Sequence, residues 1–330
     1  MATHPTGLRA ESSAEVLART GVFEFHGGFW TDLHHFLYVV ARSRTKARDV
    51  TRPAVLPAPR EFADARLSSE ERQAMEAALA IYGKDFAARD LVFDAIAARE
   101  SWSIDRLGSQ TTAAGAGIAP DLVRALDMAA PVWRREFWPR HLARHRAWID
   151  EALPILEKHS DNMVRGIENA YGVRWPAGPL RVDLVAYSNW AGAYTVAKPP
   201  HVTVSTTDPT YGAPGVLEML FHEASHTFDD HLDGLLAEEG RRQGRSIPGN
   251  LEHAIVFDTA GELAARHIPG YVVVGERAGV FSRGEWWRDA FVRIWHPHVA
   301  GRVPLADALR DLVAAVGPPV NTATPGPATR

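Results

Sequence analysis

The stretch Val216–Leu232, VLEMLFHEASHTFDDHL, decides how the rest of the chain is read. Leu217, Leu220, Phe221, Ala224 and Phe228 recur at the three- and four-residue spacing of one helix face. His222 and His226 are four apart, so both imidazoles leave a helix on one side, at the edge of that apolar stripe. Neutral imidazole is a favoured zinc ligand, and Glu223 stands one step round from it. Zinc lowers the pKa of a bound water, and a neighbouring carboxylate takes the proton, giving a nucleophile at neutral pH. The spacing therefore predicts one Zn2+ per chain on His222 and His226, with Glu223 as general base.

Upstream of this helix, Leu180–Tyr187 (LRVDLVAY), Tyr194–Ala197 and His201–Ser205 alternate in the manner of strands. Downstream, about Leu251 to His267 reads as a second helix. The first half reads as helices, among them one from Asp32, one opened by Ser68 with Glu71 as its capping-box partner, and others over 83–99, 121–129 and 132–171, the last interrupted at Pro139 and Pro154. PAVLPAP at 53–59 is a connector, 240–249 a glycine-rich loop, and 284–295 and 305–316 are closing helices. The expected fold is α+β and mostly helical: a small mixed sheet, then the HExxH helix, then a glutamate-bearing helix. It divides into a mainly helical region 1–175, a catalytic region 176–316, and a Pro- and Thr-rich tail 317–330 expected to be disordered.

HEASH on a helix after a small sheet resembles the zincin metallopeptidases. The metzincin branch is set aside, because TFDDHLDG after His226 lacks the HxxGxxH continuation. The gluzincin branch takes a glutamate from a following helix, and LEHAIVFDTAGELAAR supplies one, so the resemblance implies a peptidase. It spans about 180–270. Three residues of that helix compete for third ligand: Glu252, His253 and Glu262. His253 and Glu262 are nine apart, half a turn out of phase, so a straight helix cannot offer both to one ion. Glu262 is the expected ligand, with Asp258 one turn before it as a hydrogen-bond acceptor for a ligand histidine and Gly261 allowing close helix approach. His253 is the rival, as ligand or as donor to the transition state. Asp229, Asp230 and Asp233 are alternatives nearby. Tyr187, Tyr194, Tyr211 and His253 are the available oxyanion donors, and Trp190–Thr195 is a candidate edge strand for an extended substrate.

The 330 residues hold 36 Lys+Arg against 40 Asp+Glu, a balance without the basic excess of a nucleic-acid binder. The absence of Cys excludes disulfides, thiolate metal sites and Cys nucleophiles. No run approaches the roughly 18 apolar residues of a membrane span, and 1–20 has no apolar core of a secretory signal, so a cytoplasmic enzyme is expected. The partner expected is a peptide or small-molecule substrate, with neither nucleic acid nor membrane. His26, His34 and His35, set among Phe25, Phe29, Trp30 and Phe36, read as aromatic packing around a Gly-Gly turn. The ten tryptophans read as core, and Arg241, Arg242 and Arg245 as a solvated loop. No Walker loop, dinucleotide fingerprint or G-x-S-x-G elbow is present.

Overall fold

The computed structural model describes residues 15–44, 59–197, 199–281 and 287–319. The protein is α+β, with more helix than strand and a small mixed five-stranded sheet. Two compact units divide it, and neither is a single run of chain: unit 1 is 1–151 with 179–212, unit 2 is 152–178 with 213–330. The sequence placed one boundary near 176. The structure instead gives the sheet to the N-terminal helices, and the HExxH segment to a separate helical unit.

In unit 1 the strands are β1 (Glu15–Arg19), β2 (Phe23–Gly27), β3 (Leu180–Val185), β4 (Ala193–Ala197) and β5 (Pro200–Ser205), in the order β1-β2-β3-β5-β4. The outer pairs are antiparallel, and β2–β3 and β3–β5 are parallel. Three strands match the alternation seen in the sequence. The other two, β1 and β2, lie where no strand is expected from the sequence.

The register sorts the side chains by face. Phe23, Phe25, Val182, Leu184, Val202 and Val204 share the apolar face, where Phe25 meets Trp148 ring edge to ring. Glu24, His26, Arg181, Asp183, His201, Thr203 and Tyr194 share the other, and from His26 to Tyr194 these are almost wholly buried apart from Arg181. A sheet buried on both faces with one face polar is unusual, since buried polar groups must find partners there.

The helices of unit 1 are α1 (Phe29–Arg44), α2 (Arg60–Asp64), α3 (Ser69–Asp85), α4 (Ala95–Asp105), α5 (Pro120–Glu136) and the first part of α6 (Trp138–Tyr171). The capping box at Ser68 and Glu71 is present, with Glu71 N–H donating to Ser68 Oγ and Ser68 N–H to the Glu71 carboxylate. The helix expected over 83–99 is broken: α3 ends at Asp85, and Asp94 caps a new helix through Ile96 and Ala97 N–H. The predicted interruption at Pro154 does not occur: α6 runs through it. Asp32 does not start α1. It lies in its first turn, and its carboxylate accepts from Ala186 N–H at 2.6 Å and pairs with His141 Nδ1 at 2.7 Å. His34 and His35 are buried in hydrogen bonds to Tyr82, Ser101, Thr31 and Tyr194, which agrees with a packing role.

Unit 2 holds the rest of α6, then α7 (Val216–Ser225), a 3-10 turn at His226–Phe228, α8 (Asp229–Gln243) and α9 (Leu251–His267). A helical turn at Val274–Arg277, short helical segments over 288–299 and a helix at Leu305–Val316 follow. The glycine-rich loop is shorter than expected, because α8 continues to Gln243 and ends on Gly244 with a left-handed φ of 63°. Arg242 pairs with Glu239, and Arg245 donates to Gly317 O. The start of the expected tail is therefore ordered: Pro319 bridges Arg245, and Ser246 N–H donates to Pro318 O. The remainder, 320–330, and the connector 53–58 lie outside the described residues. Among the described residues no helix is long and apolar enough to cross a membrane.

Candidate metal centre

Helix α7 packs on α9 through the face that carries Glu218, His222 and His226, and Leu217, Leu220, Phe221 and Ala224 are fully buried. Gly261 marks the close approach between the two: a Cβ there would stand 3.1 Å from the Glu218 carboxylate. That packing turns the N-terminal half of α9 toward His222 and His226. His226 caps α7 instead of continuing it, yet stays in the right-handed helical region, so the four-residue relation survives. The ring centroids of His222 and His226 are 4.9 Å apart, those of His222 and His253 5.2 Å, and those of His226 and His253 5.4 Å.

Each of these histidines offers one nitrogen, and the three nitrogens lie within 4.8 Å of one another. No carboxylate stands within that trio. His222 is buried with Nδ1 making no hydrogen bond. Burial, with the nearby His226 and His253, holds its pKa well below the usual imidazole value, so it is neutral and carries a free lone pair. His226 is also pulled down by burial, but the Asp229 hydrogen bond and charge outweigh this and raise it to about 9. The Asp229 carboxylate accepts from His226 Nδ1 at 3.0 Å. A carboxylate on Nδ1 fixes the ring and leaves Nε2 to a metal, the usual outer support of a ligand histidine. Asp229 thus stands on the far side of the His226 ring from the nitrogen left open. Glu252 joins Asp229 and His226 in a second cluster, and burial with the Asp229 contact pushes its carboxyl up to about 8. Glu223 is 5% exposed, and its charge acts on His226. A converging neutral lone pair, a carboxylate-held imidazole and a third histidine fit a borderline-soft divalent ion such as Zn2+.

The structure does not bring the expected third ligand to this cluster. Glu262 pairs with Arg266 at 2.7 Å and with His296 Nδ1 at 3.3 Å, and belongs to no group of converging ligands. The reason is helical phase: once α9 presents His253 to α7, a residue nine further on faces the opposite way. Asp258 follows Glu262, accepting from His296 at 2.9 Å and Arg288 at 2.7 Å. Asp230 and Asp233 are likewise outside the clusters. Glu262→Ala is accordingly expected to leave the metal content of the chain unchanged and to cost at most about 1 kcal/mol, the worth of a partly exposed ion pair. Elemental analysis and thermal unfolding check this; a loss of metal would restore Glu262 as a ligand.

Tyr187, Tyr194 and Tyr211 belong to unit 1. There Tyr194 Oη meets His35 Nε2 at 3.0 Å, Tyr187 bonds Glu61, and Tyr211 Oη donates to Ala191 O at 3.3 Å. The segment Trp190–Thr195 does lead into an edge strand, β4.

Sequence reasoning missed Phe257, whose ring lies 5.1 Å from His222 and walls the cluster. Its position one turn after His253 was the available signal. It also missed Glu218, one turn before His222, which accepts from Tyr271 Oη at 2.7 Å and Val274 N–H at 2.8 Å. Comparison of the chain with family models, with curated proteins and with solved structures finds no match.

Proposed function

We propose that the chain is a zinc-dependent hydrolase whose metal centre is His222, His226 and His253. The observation that carries this reading is the approach of three imidazole nitrogens to within 4.8 Å, two of them from an HExxH helix segment. A Zn2+ held there would supply a Lewis acid that polarises a carbonyl and acidifies water. The chain's own groups do the rest. His222 contributes a lone pair because burial keeps it neutral, and Asp229 holds His226 by Nδ1. Glu223, between the two histidines in sequence, takes a proton from the attacking water and returns it to the leaving amine.

A peptide is the substrate class favoured by the resemblance of HEASH to zincin metallopeptidases. With histidine and not glutamate in third place, the centre departs from the gluzincin pattern, and the reading is zincin-like in a broader sense. Metal content of wild type and His253→Ala, measured in parallel, tests the centre. His253→Ala is expected to hold about one ion per chain fewer. Equal contents would remove His253 from the ligand set.

A further inference from the structure

The polar face of the sheet converges on a second point, in unit 1. Asp183 of β3, His201 of β5 and Asp105 at the end of α4 are all buried, at 0%, 0% and 2% exposure. They offer three ligand atoms within 4.8 Å of one another. The strand register makes this a built arrangement: Arg181 lies beside His201 and Asp183 beside Thr203, so all four side chains leave the sheet together.

The hydrogen bonds show what is missing. His201 Nδ1 lies 2.9 Å from Pro199 O, a carbonyl, so this nitrogen carries the proton and donates. His201 Nε2 is then a bare lone pair, and it makes no hydrogen bond in a fully buried position. It lies 3.8 Å from Asp105 Oδ2, too far for a hydrogen bond. Asp105 Oδ1 already accepts from Thr31 Oγ1 at 2.6 Å. Arg181 grips Asp183 through Nε at 2.8 Å and Nη2 at 2.6 Å, which orients that carboxylate. One guanidinium faces two carboxyls and this lone pair, and the Trp102 ring lies 4.7 Å from the imidazole, centroid to centroid. Two carboxyls and an imidazole lone pair that converge in the core are stabilised by a cation. Two ligands each about 2.0–2.2 Å from one ion stand no more than about 4.4 Å apart, and 3.8 Å meets that limit.

We infer that Asp105, Asp183 and His201 form a second, buried site for a divalent transition-metal ion, separate from the three-histidine centre. Two carboxylates and one imidazole suit Zn2+ or Mn2+. Enclosure in the core makes it a site filled as unit 1 folds, with a structural role.

The test counts ions in the full chain produced in medium supplemented with zinc and manganese. His222→Ala/His226→Ala is expected to retain about one ion per chain, and adding Asp105→Asn and His201→Gln is expected to remove it. Failure of the first variant to hold any ion would overturn the site, as would retention of the ion after the second pair of changes. Should the combined variant not fold, X-ray absorption at the metal edge of His222→Ala/His226→Ala decides. One imidazole among oxygen ligands supports the site; two or more imidazoles overturn it. The three-histidine proposal is judged separately, by the ion lost in His253→Ala.

Discussion

Glu223→Gln is expected to slow hydrolysis by about 10²–10⁴-fold, the usual worth of a positioned general acid–base group, with metal content unchanged. The substitution keeps the shape of a side chain that is 5% exposed, so packing is preserved while the proton acceptor is lost. The charge of Glu223 also raises the His226 pKa, which places it beside the cluster without making it a ligand. Digestion of a peptide library read by mass spectrometry supplies the rate. An unchanged rate would exclude Glu223 from the chemistry. Loss of metal together with activity would make it a structural support of the centre. Intact metal with no peptide cleaved by the wild type would move the substrate class to small molecules.

Asp32→Asn is expected to destabilise unit 1 by about 3–5 kcal/mol, the cost of removing one partner from a buried ion pair. Asp32 is fully buried and pairs with His141, whose Nε2 reaches Glu61 at 2.8 Å. Burial alone would lower the His141 pKa, but the two carboxylates outweigh it and raise it to about 9 from 6.5. Burial opposes the charge on Asp32 too, and His141 and His145 more than offset this, holding Asp32 far below its ordinary 3.8. The sign follows for each group. A raised histidine pKa adds stability that is complete below pH 6.5 and fades as pH rises through about 9. A depressed aspartate pKa adds stability present above pH 3.8 and lost on acidification. Wild-type stability should therefore be highest between about pH 4 and 6.5 and decline toward 9, and Asp32→Asn should flatten the alkaline limb. Hydrogen exchange over α1 across this pH range measures both effects. A variant with wild-type protection at pH 6 would show that the pair contributes nothing net.

The legible parts of this protein were those written locally. His222, Glu223 and His226 announce themselves because a helix brings i and i+4 together without help from the rest of the fold. Helical phase also showed that His253 and Glu262 could not both be the third ligand. Choosing between them required knowing which face of α9 meets α7, a tertiary fact that no local spacing contains. Strand β2 was hidden because FEFHG puts Glu24 and His26 on a buried face, where alternation normally marks solvent. Asp32, Glu61 and His141, like Asp105, Asp183 and His201, come from separate elements and form no motif. Their partners become visible only when the chain is folded.

The parallel pairing of β2 with β3 sets Phe23 beside Leu180, and all of α1 to α6 lies between them in the chain. The sheet thus closes a loop of very high sequence separation, and such contacts form slowly because the chain must first be ordered across the gap. On the ribosome, the β1–β2 hairpin emerges early and has only its own short ladder until residues beyond 180 appear. Its inner edge, with Phe23 and Phe25 alternating along it, remains open to pairing with other chains for that whole interval. The rate at which synthesis passes from 27 to 180 therefore bears on the yield of native protein, independently of how stable the finished fold is.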